Sequence, residues 1–267
     1  MNLALARRIR RAAQARLGTA KVVRQVETNL RAELRSPIDE FVFMSSATRR
    51  DGLFGDSYDE WRARRISKIL GIYGIEHFDG LRILEVGAGH GDIGAFFASL
   101  GAEDVCAEGR LENMTYGQLK HRAVAGLRFE HVDLDGDFRW LGEFDLLLHF
   151  GLLYHIEDID KHLLQCFEMA DDVIMETVVA DSTDPHHVLV VDERAEVNEE
   201  AINSRGARPA PAYVERLATE NGFAIDRHFS SDLNSGAFIY DWDHGSEQRF
   251  GEWDRRRFWR FSRADRR

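Results

Sequence analysis

The sequence predicts an α/β protein built on a doubly wound, mostly parallel seven-stranded sheet, with a C-terminal antiparallel hairpin and an N-terminal helical extension. Three observations lead to this fold. Short apolar runs alternate with stretches of helical periodicity, a pattern typical of parallel strands joined by crossover helices. A glycine-rich segment follows the first apolar run. The last two runs lie too close together in the sequence for a parallel crossover.

The predicted body begins with a helix over 58–76, where apolar residues recur at helical spacing. Five strands follow, separated by helices. The fourth strand is almost continuously apolar, as expected of a strand covered on both faces. The predicted strands are 81–88, 103–108, 127–133, 144–151 and 172–179, and the helices between them are 92–101, 110–124 and 158–170.

The region after the fifth strand is predicted to be a loop over 180–210, then a helix over 211–221 that ends at an Asn-Gly pair. The apolar runs 223–229 and 236–242 predict an antiparallel hairpin at the edge of the sheet. The sheet is therefore expected to end at residue 242.

The charge of the chain is distributed unevenly. We divide the sequence into a basic helical extension (1–36), a body (37–248) and an arginine-rich C-terminal tail (249–267). The net charge is −11 overall, +7 in the extension and +5 in the tail, so the body carries −23. This acidic body gives no strong nucleic-acid signal. The basic ends are predicted either as solvated arginines or as weak contacts to an anionic membrane surface.

Composition narrows the class of protein further. A hydrophobic content of 44% is enough for a globular core. No run approaches ~18 apolar residues, so no membrane-spanning helix is predicted. The two cysteines, Cys106 and Cys166, form no disulfide framework or zinc pattern, which fits a reducing cytoplasm. The sequence leaves the oligomeric state open.

The glycine-rich segment is the expected cofactor site, because ligands of parallel α/β sheets bind outside the carboxyl ends of the strands. The segment 89–94 (GHGDIG) matches G-x-G-x-x-G, and Glu108 lies nineteen residues after Gly89, which predicts NAD as one alternative. Three features favour another cofactor. Glu85 precedes the glycines within the strand, Asp133 ends the third strand, and the chain ends in an apparent antiparallel hairpin.

In these features the sequence resembles the class I (Rossmann-like) S-adenosylmethionine-dependent methyltransferases. The segment 85–91 (EVGAGHG) resembles their first motif, and Glu108 and Asp133 resemble the acids of their second and third strands. The segment 144–158, which contains GLLYHIED, resembles their fourth-strand motif. The resemblance covers roughly residues 58–242, and it implies S-adenosyl-L-methionine as the cofactor and makes 37–248 the methyltransferase domain.

The resemblance also implies a role for each cofactor residue. The glycines would lie along the methionine moiety, Glu85 would hold the amino-acid end, and Glu108 would accept both ribose hydroxyls. Asp133 would accept from the adenine amino group, and the backbone of Leu134 would bind the ring. The glycines are Gly87, Gly89 and Gly91.

Each of the three acids also has a simpler interpretation. Glu85 is alternatively an acid that only ends a strand. Glu108 alternatively pairs with Arg110. Asp133 alternatively caps a turn with the segment 135–136, an Asp-Gly pair.

The methyl acceptor is expected over the end of the fourth strand. His155 is the predicted catalytic base, because imidazole titrates near neutral pH; alternatively it only orients the loop. We expect His149 to line the cofactor pocket and Tyr154 to be either a wall of the substrate pocket or part of the core. Arg208 lies in a segment that resembles one in bacterial methyltransferases acting on small metabolites or glycans, so it either grips an acidic acceptor or caps a neighbouring helix. No metal ion is predicted.

The sequence therefore predicts a methyltransferase that O-methylates a small metabolite or a sugar of a surface glycan. Three alternatives stay open: a tRNA-modifying methyltransferase, an NAD-binding Rossmann protein, and a non-catalytic subunit that retains the fold for partner binding. The charge of the body argues against RNA, and strongly salt-dependent RNA binding would favour it.

Overall fold

A computed structural model describes residues 56–195, 200–246, 251 and 254–263 of the chain, and side chains only from residue 60 onward. The predicted basic extension (1–36) lies outside the described residues. Among the helices in these ranges, none combines the length and the apolar character that crossing a bilayer requires.

A seven-stranded sheet forms the centre of the fold, with strand order β3-β2-β1-β4-β5-β9-β8. The first five strands of this order are parallel, and the winding reverses between β1 and β4. The doubly wound, mostly parallel sheet is therefore confirmed. The strands in the described part of the chain are β1 (Arg82–Val86), β2 (Glu103–Glu108), β3 (Leu127–His131), β4 (Leu146–Phe150), β5 (Asp172–Val178), β6 (Val188–Asp192), β7 (Arg205–Pro209), β8 (Ala224–Arg227) and β9 (Arg256–Ser262).

The helices lie close to where their periodicity predicts them. The helix before β5 has Asp158 as its N-cap, and the Asp158 side chain accepts a hydrogen bond from the amide of Lys161. The helix before β8 begins at Pro211, a residue that suits the first helical turn. The described helices are α1 (Asp56–Tyr73), α2 (Asp92–Ser99), α3 (Leu111–Lys120), α4 (Ile159–Met169) and α5 (Pro211–Glu220).

The core of the protein is centred on β4, which pairs with β1 on one side and β5 on the other. Every residue of β4 is buried. A strand that is covered on both faces has no position for a solvated polar residue, which explains its nearly continuous apolar sequence. This packing holds the carboxyl ends of β1 and β4 side by side at the switch point of the sheet.

The edge of the sheet differs from the prediction. β8 lies within the predicted strand 223–229, but its antiparallel partner is β9, which lies in the predicted tail. The predicted strand 236–242 contributes only isolated bridges, such as the one between Ile239 and Arg255. The sheet therefore includes a strand from the segment 249–267. The aromatic residues of β9 are buried in the core. The arginines among them are the reason that the sequence predicts a polar tail here.

A second correction concerns the predicted loop over 180–210. This region contains an antiparallel hairpin of β6 and β7, with Val190 opposite Ala207. Residues of β6 are exposed or half-buried, whereas four of the five residues of β7 are buried. The buried side of the hairpin packs against a short 3₁₀ turn, Leu153–His155, that follows β4. It therefore brings new side chains to the edge of the cavity.

Candidate functional site

A cavity opens at the carboxyl ends of β1, β2 and β4, where the winding of the sheet reverses. Most of the residues predicted for the site line this one cavity. The structure thus brings together groups that are up to 70 positions apart in the sequence. The predicted residues that line it are Glu85, Gly87, Gly89, Glu108, Asp133, Leu134, Tyr154 and His155.

Gly91 is part of the loop but does not line the cavity. Its φ of 71° places it in the left-handed region, where it caps the N-terminus of α2. A Cβ atom on Gly91 would lie 2.5 Å from the ring of Phe129 and 3.0 Å from Sγ of Cys106. Glycine is therefore required here by backbone conformation and close packing, and its effect on a ligand is through the shape of the loop.

Glu108, at the end of β2, is anchored by the backbone around it. Its Oε2 atom accepts from the amide of Gly89 at 2.8 Å, and Oε1 accepts from the amide of Arg110 at 2.9 Å. Burial raises the pKa of Glu108, against the lowering effect of these hydrogen bonds. The sequence left open a pairing of Glu108 with Arg110, and the hydrogen bond between them comes from the Arg110 backbone amide. The guanidinium of Arg110 donates to the carbonyls of Ala195 and Glu200.

Asp133 combines the two interpretations that the sequence left open. Its Oδ1 accepts from the amide of Asp135 at 3.1 Å, so the residue caps a turn. It is also exposed and lines the cavity, so it keeps acceptor capacity for a ligand. The next residue, Leu134, is buried, and its carbonyl accepts from His162.

Glu85 lies in a buried acidic cluster with Cys106 and Asp104. Its Oε2 accepts from the amide of Gly94 at 2.9 Å and from Sγ of Cys106 at 3.6 Å. Burial and the neighbouring charge of Asp104 raise the pKa of Glu85, and burial raises the pKa of Asp104 to about 7. A cation that binds beside Glu85 would therefore favour the ionised form of this side chain.

His149 does not line the cavity, contrary to the prediction. Its side chain is fully buried, and its Nε2 lies 3.0 Å from Nε2 of His162. A carbonyl only accepts, so Nδ1 of His162 must donate to Leu134, and Nε2 of His149 must then donate to Nε2 of His162. Burial lowers the pKa of both rings, to about 4 for His162. His149 thus supports the Leu134 backbone from inside the core.

His155 is held by a carboxylate that the sequence did not reveal. Its Nδ1 lies 2.6 Å from Oε2 of Glu193, which follows β6. Oε1 of Glu193 accepts from Nη2 of Arg208 at 2.7 Å, and Oε2 also accepts from the amide of Ala201. The Glu193 side chain is only 1% exposed.

Arg208 is not placed to contact an acceptor in the cavity, contrary to the prediction. Arg208 lies on β7, is 1% exposed and does not line the cavity. Its Nη1 donates to the carbonyl of Tyr154 at 2.5 Å, and its Nη2 donates to Glu193. The guanidinium therefore fastens the hairpin to the turn after β4. Hydrogen bonds from His155, Arg208 and the amide of Ala201 hold the pKa of Glu193 at about 2, although burial opposes this.

Tyr154 belongs to a second buried network that also reaches the cavity. Its hydroxyl lies 3.4 Å from Nη2 of Arg256, which donates through Nη1 to Glu176 at 2.9 Å. Arg65 of α1 pairs with the same glutamate at 2.8 Å, and Tyr240 donates to it at 2.9 Å. Tyr154 and Arg256 both line the cavity.

Acidic side chains outnumber arginines among the described residues that line the cavity. Six acids line it together with three arginines, and Asp92 is already paired with Lys120 and His121. Trp61 and Arg62 of α1 also line the cavity, although the sequence indicated only a helix in this region. The six acids are Glu85, Asp92, Glu108, Asp133, Asp135 and Glu200, and the arginines are Arg62, Arg110 and Arg256.

The fold and the site together define a class of structure. The N-terminal domain of EvdMO1, solved in the presence of S-adenosylhomocysteine and D-fucose, is 20% identical, with a TM-score of 0.58 over 76% of this chain and 83% of that chain. The magnesium protoporphyrin IX methyltransferase of Synechocystis PCC 6803, solved with bound S-adenosylhomocysteine, is 15% identical, with a TM-score of 0.54 over 80% and 90%. This chain therefore has the Rossmann-like fold of the S-adenosylmethionine-dependent methyltransferases.

Curated relatives are similar over a shorter stretch. Two ubiquinone biosynthesis O-methyltransferases, from Mesorhizobium japonicum and a Chelativorans species, are 34% and 33% identical to the chain. Each match spans 94 residues, 34% of this chain and 37% of the relative. The chain thus spans little more than a third of the length of these relatives. No family model matches it.

Proposed function

We propose that the protein is an S-adenosylmethionine-dependent O-methyltransferase that acts on the hydroxyl group of a small metabolite or of a sugar in a surface glycan. The observation that carries this proposal is the meeting of Glu85, Glu108 and Asp133 in one cavity beside the glycine loop. These three acids stand at or near the carboxyl ends of three successive strands of the chain. They offer acceptors at three separate points of one ligand.

The donor set of the cavity fits this cofactor. Glu85 would hold the ammonium group, Glu108 would accept from the ribose hydroxyls, and Asp133 would accept from the adenine amino group, with the Leu134 backbone beside the ring. Acids outnumber arginines in the described lining. This charge favours a cationic sulfonium ligand over a pyrophosphate, which supports S-adenosylmethionine over the NAD alternative.

The chemistry requires a positioned acceptor and a base. S-adenosylmethionine, when bound, would supply a methyl group that its positively charged sulfur activates for transfer to the acceptor oxygen, with the electron pair of the broken bond left on sulfur. Tyr154 lines the space over the end of β4 where the acceptor would lie. Burial lowers the pKa of His155, so its neutral ring takes the hydroxyl proton near neutral pH.

Two further observations bear on the compartment of the enzyme and on its acceptor. Cys106 and Cys166 are both free thiols and both buried, which supports a reducing cytoplasm as its compartment. The names of the curated relatives support oxygen as the acceptor atom, and the D-fucose named with EvdMO1 supports sugars in the first set of substrates to try.

Calorimetry of the full chain with S-adenosylhomocysteine and with NADH tests the cofactor. We expect saturable binding of S-adenosylhomocysteine and none of NADH; the reverse result would overturn the proposal. A screen of small catechols, phenols and free sugars, with simple thiols and amines beside them, is read by the release of S-adenosylhomocysteine and identifies the acceptor. Methyl transfer to thiols or amines with none to hydroxyls would contradict the assignment of oxygen.

A further inference from the structure

The turn after β4 and the β6–β7 hairpin are joined by a chain of buried polar contacts that the proposed function does not require by itself. Arg208 bonds both the carbonyl of Tyr154 and Glu193, and Glu193 bonds His155. The side chains of Glu193 and Arg208 are 1% and 2% exposed. Burying a charged pair costs desolvation energy, and a simple packing contact would not need one.

We propose that Glu193 is a positioning residue for methyl transfer. It accepts a hydrogen bond from Nδ1–H of His155, so that Nε2 carries the lone pair that takes the proton of an acceptor hydroxyl. Arg208 holds Glu193 in place. This inference rests on the proposed function, because it assigns the residues that orient the base of that reaction.

The geometry determines which nitrogen is the base. An ionised carboxylate only accepts hydrogen bonds, so a neutral His155 that contacts Glu193 through Nδ1 must carry its proton there. The neutral ring then keeps its lone pair on Nε2. When Nε2 takes a proton, the ring becomes an imidazolium whose charge is stabilised by Glu193 at 2.6 Å.

The charges around the ring are balanced to keep it neutral before the reaction. Glu193 raises the pKa of His155, whereas burial and the positive charges of Arg208 on β7 and Arg256 on β9 lower it, and the net direction is downward. The Tyr154 ring packs on the imidazole with centroids 4.1 Å apart. The base is thus available near pH 7 and its protonated form is still paired.

The backbone shows that this arrangement is built closely around one glycine. A Cβ atom on Gly206 would lie 2.2 Å from the carbonyl oxygen of Tyr154 and 2.6 Å from Oε1 of Glu193. Any side chain at this position would push the hairpin away from the turn after β4. Gly206 therefore permits the close approach that brings Glu193 to His155.

The test is the protonation state of His155 in the full chain, measured by nitrogen NMR of ¹⁵N-histidine-labelled protein, with and without S-adenosylhomocysteine. His155→Asn assigns the signal. We expect the wild-type ring to be neutral at pH 7.5 with its proton on Nδ1. A proton on Nε2, or an imidazolium at this pH, would overturn the proposal without any variant of Glu193.

Glu193→Gln is the matching substitution, because it keeps the shape and removes the charge. We expect the pKa of His155 to fall further, since the imidazolium loses its partner. The control is Glu157→Gln, which removes an exposed acid two residues from His155 that pairs with Arg205 instead. An equal shift in both variants, or none in Glu193→Gln, would contradict the role of Glu193.

Turnover with an acceptor from the screen distinguishes this proposal from the proposed function. Glu193→Gln should lower kcat roughly 10- to 100-fold, leave KM for the methyl donor unchanged, and move the acid limb of the pH profile to lower pH. Glu193→Asp should recover part of the rate. A lower rate with an unmoved acid limb would show that Glu193 only supports the fold. Absence of S-adenosylhomocysteine binding, with the expected protonation of His155, would instead contradict the proposed function.

Discussion

The two sides of the cavity are built from charged residues in opposite ways. One side, the acidic wall, consists of Glu85, Glu108 and Asp133 at the ends of β1 to β3. The other side, the paired wall, consists of the His155–Glu193–Arg208 chain and the Glu176 cluster with its two arginines. The carboxylates of the acidic wall are bonded mainly to nearby backbone amides, so they retain acceptor capacity toward the cavity.

The paired wall satisfies its charges with one another. Glu176 is fully buried, and Arg65 and Arg256 hold its pKa below the usual value although burial alone raises it. The paired wall therefore contributes the shape of the cavity and holds the His155 ring in one orientation. The comparison indicates that cofactor recognition and preparation of the acceptor are separated between the two walls, and the three variants below test that separation.

The largest effect is expected from breaking the paired wall at Glu176. Glu176→Ala leaves Arg65 and Arg256 buried beside each other without their shared carboxylate. We expect the free energy of unfolding, measured in urea, to fall by about 3–5 kcal/mol, as for other buried ion pairs that lose one partner.

The matched control is the exposed pair of Glu157 and Arg205. Glu157→Ala should cost no more than about 1 kcal/mol, because a solvated ion pair contributes little. Equal losses of unfolding free energy in the two variants would mean that the buried Glu176 cluster contributes no more to stability than an exposed ion pair. That result would contradict the difference between the two walls.

A smaller effect, on binding instead of folding, is expected at the acidic wall. Glu108→Gln removes the charge while keeping the shape, so ribose hydroxyls lose a charged acceptor. We expect the Kd for S-adenosylhomocysteine to rise roughly 10- to 100-fold, which corresponds to about 1.5–3 kcal/mol for hydrogen bonds to a charged group. Calorimetry measures it.

Glu112→Gln, an exposed acid in the first turn of α3, is the control for this experiment. Its Kd should equal that of the wild type. Unchanged affinity in Glu108→Gln would show that the carboxylate serves only the loop amides of Gly89 and Arg110, and the acidic wall would then lack its proposed role.

The two walls also differ in how far the sequence could predict them. The acidic wall was predictable because each of its acids lies at the end of an apolar strand run, and parallel strands place those ends at one edge. Gly91 was placed in the right loop, but only three-dimensional packing shows that it faces Phe129 instead of the cavity.

The paired wall was not predictable from local pattern. Glu193 meets His155 across 38 positions and Arg256 meets Glu176 across 80, and no spacing in the sequence signals either pair. The same difficulty applied to β9, because a strand rich in both arginines and aromatics resembles a solvated tail until the partners of its arginines are known. Half-exposed β6 and its partner β7 were likewise interpreted as a loop.

The smallest effect is expected from the acidic cluster behind the cofactor site, and it depends on pH. Burial raises the pKa of Asp104 to about 7 from an unfolded value of 3.8, so the folded protein binds more protons between these pH values. The contribution of Asp104 to the free energy of unfolding therefore falls as pH rises from about 4 to 7. Asp104→Asn removes this titration, so its unfolding free energy, measured in urea at pH 5 and pH 8, should fall less than that of the wild type.

The control for this slope is Asp137→Asn, an exposed aspartate whose pKa is lowered to about 2 by hydrogen bonds from Arg139. It stays ionised over the whole range, so its substitution should shift the stability equally at both pH values. Because the charge of Asp104 also raises the pKa of Glu85, Asp104→Asn should in addition tighten S-adenosylhomocysteine binding at pH 6 relative to the wild type. Parallel stability curves for Asp104→Asn and the wild type would show that Asp104 is ionised in the folded protein throughout, and Glu85 would then bind its ligand beside a permanent second charge.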